Sequence, residues 1–336
     1  MPARMRGRVA MRERDFIAHL LATQAAAGES IELDAGDDMA VVRAPEGRVL
    51  AAIDAVVEGR HFRAGTDPFL IGRKAVLRNV SDVAAMAARP LACLASATLP
   101  ADCPESVAER LLAGLRDAAD RHGCPLVGGD TSVHDRPDAP LVVSVAILAT
   151  PALPGGRVVT RRGSRIGDHV AVTGVLGGSL DPDGGGRHLE FEPRVDAAIE
   201  LGTRLGDDLH AMIDLSDGLG IDAGHLLVAR RGEPESSNLA IEIDAASLPC
   251  APGLDWRRAI GDGEDFELLF TAASPPPESA GGVSIRRIGE VVERGQGPAV
   301  RLRVGGGIVD ITRSGFEHGV VRSAAAEVGA DREEHA

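Results

Sequence analysis

The stretch MIDLSDGLGID, residues 212–222, places Asp214, Ser216, Asp217 and Asp222 in one short, mostly apolar run. Carboxylates repel one another and are costly beside apolar walls unless something positive sits between them. The same pattern recurs along the chain. Acids stand at the ends of segments in AGDDMAVV (Asp37, Asp38), AIDAVVEG (Asp54, Glu58), NVSDVAAM (Asp82), LVGGDTS (Asp130) and GDGEDFELLF (Asp262, Glu264, Asp265). A fold for this chain must either bring these acids to shared cations or give each a local duty. Local duties are common: Gly-Asp-Asp forms turns, Ser-Asp caps helices, and Asp82 has Arg78 one turn earlier as a partner.

The segments between the acids alternate in kind. Residues 48–58, 91–99 and 140–148 read as strands, and 67–88 and 103–123 as helices, the second with Pro near its start and Gly at its end. The Pro-, Gly- and Arg-rich stretch 150–168 reads as the boundary between two halves, giving units of 1–150 and 151–325 and a polar tail of 326–336. The second half restarts with strand HVAVTG and the turn GVLGGS. Helix PRVDAAIELGTRLG follows, then a helix running from the opening motif to about Arg230. Strands are expected at LAIEI, FELLFTA and VSIRRIGEV, with a loop at 273–282. Near the N-terminus, FIAHLLATQAAAG reads as an amphipathic helix.

Composition narrows the function. The formal charge of −14 opposes a polyanionic macromolecule, and 2% aromatics leave little to stack on bases, so no nucleic-acid partner is expected. The longest apolar run, LVVSVAILATPAL, is too short to span a bilayer, and the start lacks a signal pattern. No membrane partner and a cytoplasmic location are expected. The four cysteines form no C-x-x-C pair and read as free thiols. Lys74 is the sole lysine, flanked by Arg73 and Ala75, so any nucleotide binds without a Gly-Lys-Ser/Thr phosphate loop.

Asp54, Asp130 and Asp214 each follow an apolar, strand-like run, and acids at strand ends gather along one sheet edge, where sites in α/β folds lie. The hard cation that suits oxygen ligands and bridges phosphates is Mg²⁺. An EF-hand fails, because the twelfth position from Asp214 is His225 rather than Glu. Candidate phosphate donors are GGD (128–130), GVLGGS (174–179), Arg161 and Arg194.

AGDDMAVV, DAVVEGRHF, NVSDVAAMAARP, LVGGDT, TRRGSRIGD, HLEFEPR, MIDLSDGLGIDAGHL, GDGEDFELLF and RIGEV occur in the order and approximate spacing of the thiamine-monophosphate kinase family, which the chain resembles from about residue 15 to 318. The resemblance implies an α+β, two-domain fold like that of aminoimidazole ribonucleotide synthetase, with an N-terminal α/β domain built on a mixed sheet, a C-terminal α+β domain, and a homodimer. It implies Mg²⁺ on Asp38, Asp54, Asp82, Asp130, Asp214 and Asp217. It places ATP on Gly129, Asp130, Arg161 and Ser216, and thiamine monophosphate on His61, Glu264 and Phe316, with Asp54, Asp82, Asp214, Asp217 and Arg161 as the catalytic set. The expected reaction moves the γ-phosphoryl of ATP directly onto thiamine monophosphate. Alternatives are a related ATP-dependent kinase or synthetase for another small molecule, or a non-catalytic Mg-nucleotide-binding dimer. The chain departs from the family in carrying Ala52 and Ile53 where hydroxyls are usual, Phe316 where Tyr or Trp is usual, and Asp262 in place of Gly.

Overall fold

The computed structural model describes residues 10–12, 31–33, 40–44, 47–228, 238–317 and 319–321. Its first elements are β1 (Ala10–Arg12), β2 (Ile31–Leu33), β3 (Ala40–Ala44), β4 (Gly47–Val57), α1 (Pro68–Ala85), β5 (Ala88–Leu99), α2 (Glu105–Arg121), β6 (Leu126–Val133) and β7 (Val142–Pro151). There follow β8 (His169–Thr173), α3 (Val195–Leu205), β9 (Leu209–Asp214), α4 (Leu219–His225), β10 (Leu239–Asp244), α5 (Trp256–Gly261) and β11 (Leu268–Ala272). The last are β12 (Ser279–Ala280), β13 (Val283–Glu293), β14 (Val300–Val304), β15 (Gly307–Asp310) and β16 (Gly319–Val321).

A first, mixed sheet has the order β2-β3-β4-β7-β5-β6, with only β5 and β6 parallel. A second runs β15-β14-β10-β13-β8-β11-β9, with β12 added to β13 and β10–β14 as the parallel pair. β1 pairs with β16, joining the two ends of the chain. Mixed sheets with packed helices make an α+β architecture, as expected. The chain crosses between the sheets in 152–168.

In β7 the alternation is regular. Val143, Val145, Ile147 and Ala149 are fully buried beneath the helices, while the residues between them face the other way. That other face carries exposed apolar side chains. Ile53 pairs with Ala146 and Ala146 with Leu94, one row of which Ile53 is 72% and Leu94 41% exposed.

Helix α1 begins where Asp67 accepts a hydrogen bond from the Phe69 amide (3.0 Å) and Pro68 presets the first turn. It ends three residues before the expected Ala88, because Ala87 adopts φ +50° and the chain enters β5 at once. α1 and α2 touch backbone to backbone. A Cβ on Gly72 would lie 2.3 Å from the Leu111 carbonyl oxygen, and one on Gly114 2.0 Å from that of Phe69.

Other boundaries also differ from the expectations. The helix after the opening motif is α4 alone, far short of Arg230, and residues 229–230 lie outside the described residues. Strand β11 starts at Leu268 rather than Phe266, whose φ of +52° breaks the extended chain. α5, β14 and β15 were not anticipated. The amphipathic stretch 16–28, Asp37, Asp38 and the tail fall outside the described residues. All four cysteines are free, and among the described residues no helix is long and apolar enough to cross a membrane.

Candidate active site

One stripe of α1 builds the site. Lys74, Arg78 and Asp82 recur at four-residue spacing, with Ser81 beside them, so they share a face. Arg78 Nε meets Asp54 of β4 at 2.6 Å. Ser81 Oγ donates to Asp214 Oδ2 at 2.6 Å, tying the first sheet's helix to the end of β9. Arg78 therefore serves Asp54 across from the helix. Asp214 is only 4% exposed. Burial pushes its carboxyl above the usual range and the nearby Asp54 charge adds to this, against the Ser81 hydrogen bond and the Arg78 and Arg161 guanidiniums. The segment holding Arg161 is fixed to β9 by the Met212 amide, which donates to Thr160 O at 3.0 Å.

Three loops converge past Asp214. The Glu264 amide donates to Ser216 O and the Phe266 amide to Leu215 O, while the Phe316 amide donates to Asp217 O, each at 2.8 Å. The approach demands glycine. A Cβ on Gly315 would fall 2.5 Å from Asp217 O, and one on Gly263 3.0 Å from the same atom. Phe266 stacks on Phe191 with ring centroids 3.8 Å apart, anchoring the 263–267 turn. Ser216, Asp217, Glu264 and Phe316 are thus brought together.

Asp222 has a different task. Its Oδ2 accepts the Asp217 and Gly218 amides, both at 3.0 Å, which shapes the turn into α4. It is 2% exposed, and burial, with Asp217 and Asp214 nearby, raises its carboxyl well above the usual range. The Asp54, Asp214, Asp217 and Asp222 carboxylates outnumber the Arg78 and Arg161 guanidiniums that act on Asp214. That surplus, all oxygen donors, fits a hard divalent cation in charge and chemistry. Among the described residues, however, no three His, Cys, Asp or Glu side chains already converge to hold a metal.

Glu264, in a left-handed conformation (φ +52°), meets Lys74 Nζ at 2.8 Å. Burial opposes its charge, but His188 and Lys74 hold its carboxyl down to about 2. His61 lies in the turn after β4, its Nδ1 accepting the Val57 amide at 3.0 Å and its carbonyl accepting Lys74 Nζ at 2.6 Å.

Gly129 and Asp130 sit on the edge strand β6. Register aligns Asp54, Val145, Ala95 and Gly129 in one row, so three strand spacings, about 14 Å, separate Asp54 from Gly129. Asp130 belongs to the next row, with Ser96 and Ser144, whose side chains leave from the opposite face. The structure therefore does not bring Asp130 to the Asp54–Asp214 group. A Cβ on Gly129 would lie 1.9 Å from Ala95 O. The segment 126–131 borders a cavity of about 680 Å³ shared with β5 and α2, lined by apolar residues such as Leu99 and Leu112.

Two expected phosphate donors are otherwise engaged. The Gly177 amide donates to the Asp265 carboxylate (3.0 Å) and the Gly178 amide to Asp262 (2.8 Å), so the 174–179 turn is satisfied internally. Arg194 forms a two-pronged pair with the buried Glu267 at 2.8 and 2.6 Å and supports the core. The reading from sequence also missed Ser81 and used Lys74 only to exclude a phosphate loop. Lys74 stands four residues before Arg78 and Ser81 three after it, and that helical spacing was the signal for both.

Residues 36–150 match the family described as AIR synthase related protein, N-terminal domain. A thiamine-monophosphate kinase of Rhodopirellula baltica is 35% identical over 84% of this chain and 90% of its own. That of Haemophilus influenzae is 32% identical over 92% and 98%. Among solved structures, AaThiL complexed with AMPPCP and TMP superposes with a TM-score of 0.73 at 30% identity, covering 91% of this chain and 97% of that one. With the acid-rich junction of α1, β4 and β9 in place and relatives this similar along nearly its whole length, the chain belongs to the thiamine-monophosphate kinase family.

Proposed function

We propose that this kinase transfers the γ-phosphoryl of ATP in line onto the phosphate of thiamine monophosphate, with Mg²⁺, yielding thiamine diphosphate. The observation that carries this reading is the junction itself. α1 holds Asp54 and Asp214 from two sheets, with Arg161 acting on Asp214, and the loops carrying Glu264 and Phe316 close on the Ser216–Asp217 backbone beside them. The AMPPCP and TMP held by the related structure support both substrates.

The Asp54, Asp82, Asp214 and Asp217 carboxylates are the residues that would hold Mg²⁺; Asp130, which leaves the sheet from its other face, is not among them. The ion, when bound, neutralises and aligns the two phosphate groups. The chain's own residues supply the rest. The Arg161 guanidinium, near Asp214, would serve as counter-ion to charge on the transferring group. Gly129 permits close backbone approach, and the apolar cavity under β6 accepts the adenine. The ionised Glu264 faces the acceptor's cationic ring, and the Phe316 ring, 45% exposed, covers it. No general base is required, because a phosphate monoester with a second pKa of about 6 is already a nucleophile near neutral pH. The open row of Ile53 and Leu94 supports a homodimer packed through the first sheet.

The test is incubation with MgATP and thiamine monophosphate, following the diphosphate and ADP. Diphosphate formed in step with ADP supports the reading. Nucleotide binding without diphosphate, or ADP released only with a different acceptor, overturns it.

A further inference from the structure

The chain's single lysine is fully buried, and nothing in the phosphoryl-transfer chemistry uses it. Burying an ammonium is costly unless every proton finds an acceptor. Here each does. Lys74 Nζ lies 2.6 Å from His61 O and 2.8 Å from each Glu264 carboxylate oxygen, with His188 Nδ1 at 2.6 Å. His188 is itself fully buried, and its Nε2 lies 3.2 Å from Gly184 O. A carbonyl only accepts, so Nε2 carries a proton, while Nδ1 faces both Lys74 Nζ and Glu264 Oε2, the latter at 3.1 Å. The lysine therefore ties three segments together: the turn after β4, the 187–189 turn and the strained 263–266 loop.

We propose that Lys74 is a positioning residue for the acceptor, fixing the His61 turn and the Glu264 carboxylate from behind so that the pocket prefers a cationic ring.

This rests on the kinase reading above and deepens it. The argument is electrostatic. Glu264 is buried enough that desolvation alone would favour its neutral form. With Lys74 and His188 beside it, the carboxylate stays charged and keeps its left-handed backbone aimed at the site. Without Lys74, Glu264 gains a proton or swings away, and the attraction for a cation goes with it. The groups facing Lys74 are Glu264, His188 and the His61 turn, with Arg78 on its own helix and Asp54 on β4 acting at longer range. Burial brings its ammonium down to about 8, against which the Glu264 charge works.

The experiment compares wild type, Lys74→Met and Lys74→Arg by steady-state kinetics with MgATP. The acceptors are thiamine monophosphate and, as a probe whose ring carries no charge, the phosphate ester of hydroxyethylthiazole. Lys74→Met is expected to raise KM for thiamine monophosphate at least tenfold, to leave KM for ATP within twofold and to erase the preference for the charged acceptor. Lys74→Arg restores most of it. An unchanged KM for thiamine monophosphate overturns the proposal, as does an equal rise in both KM values with a falling melting temperature. If Lys74→Met does not fold, the pH profile decides. Wild-type kcat/KM for thiamine monophosphate is expected to fall above about pH 8 and that of Lys74→Arg to stay level, since a guanidinium keeps its proton. A level wild-type profile overturns the proposal. Failure of the kinase reading shows itself separately, as a wild-type protein that makes no diphosphate.

Discussion

Replacing Asp214 with Asn separates stability from activity at the junction. The buried carboxyl is desolvated and feels the Asp54 charge, with Ser81 as its one direct hydrogen-bond donor and two guanidiniums acting on it from nearby. Asn keeps the size and an oxygen to accept from Ser81, yet carries no charge. At an effective dielectric of about 20, unit charges several ångströms apart interact by roughly 2–4 kcal/mol, and Arg78 and Arg161 offset part of that. Metal-free Asp214→Asn is therefore expected to be about 1–2 kcal/mol more stable than wild type. For a domain of roughly 150–250 residues, each kcal/mol raises the melting temperature by about 2–4 °C. The assay is thermal unfolding with and without Mg²⁺, paired with diphosphate formation. The variant should melt higher without metal, gain less from added Mg²⁺ than wild type does, and lose turnover. Lower metal-free stability, or equal stabilisation of both proteins by Mg²⁺, refutes the charge argument.

Further expectations follow from other contacts. Arg194→Ala strands Glu267, 1% exposed, and should cost about 3–5 kcal/mol in urea unfolding; a loss under about 1 kcal/mol contradicts the buried-pair reading. Gly129→Ala drives a Cβ into the Ala95 carbonyl and should cost about 1–3 kcal/mol and raise KM for ATP, whereas Gly128→Ala meets only Leu94 Cδ2 at 3.6 Å and should be tolerated. Below pH 8 Lys74 is charged both folded and unfolded. Between about 8 and its ordinary 10.5 the folded chain has given up a proton that the unfolded chain keeps, so stability should rise with pH by on the order of 3 kcal/mol. Lys74→Met should remove that rise, and the absence of tyrosine leaves urea unfolding over this range free of phenol titration. Ile53→Arg should convert the proposed dimer to monomer in sedimentation velocity, with a persistent dimer counting against this face.

The periodic segments were legible because their burial is one-sided. β7 alternates as its sequence suggests, and α2 begins and ends near its Pro and Gly signals. Boundaries failed where single residues take left-handed backbone, as at Ala87 and Phe266, which no local propensity favours for Ala or Phe. Asp54, Asp214, Glu264 and Phe316 were singled out from their motifs, and the structure supplies neighbours for each. The partners of acids were harder to read. Asp262 and Asp265 serve glycine amides more than 80 residues away, and Arg194 answers a carboxylate on another loop, pairings that only the tertiary fold creates.

The Gly72–Gly114 contact has a bearing on how substrates enter. With main chain pressed on main chain, α1 cannot roll or slide without dragging α2, and no side chain there can change rotamer to make room. The helix that carries Lys74, Arg78 and Ser81 is thus a fixed rail. Whatever packs on that rail takes its position from it, and the Glu264 loop does so directly through Lys74.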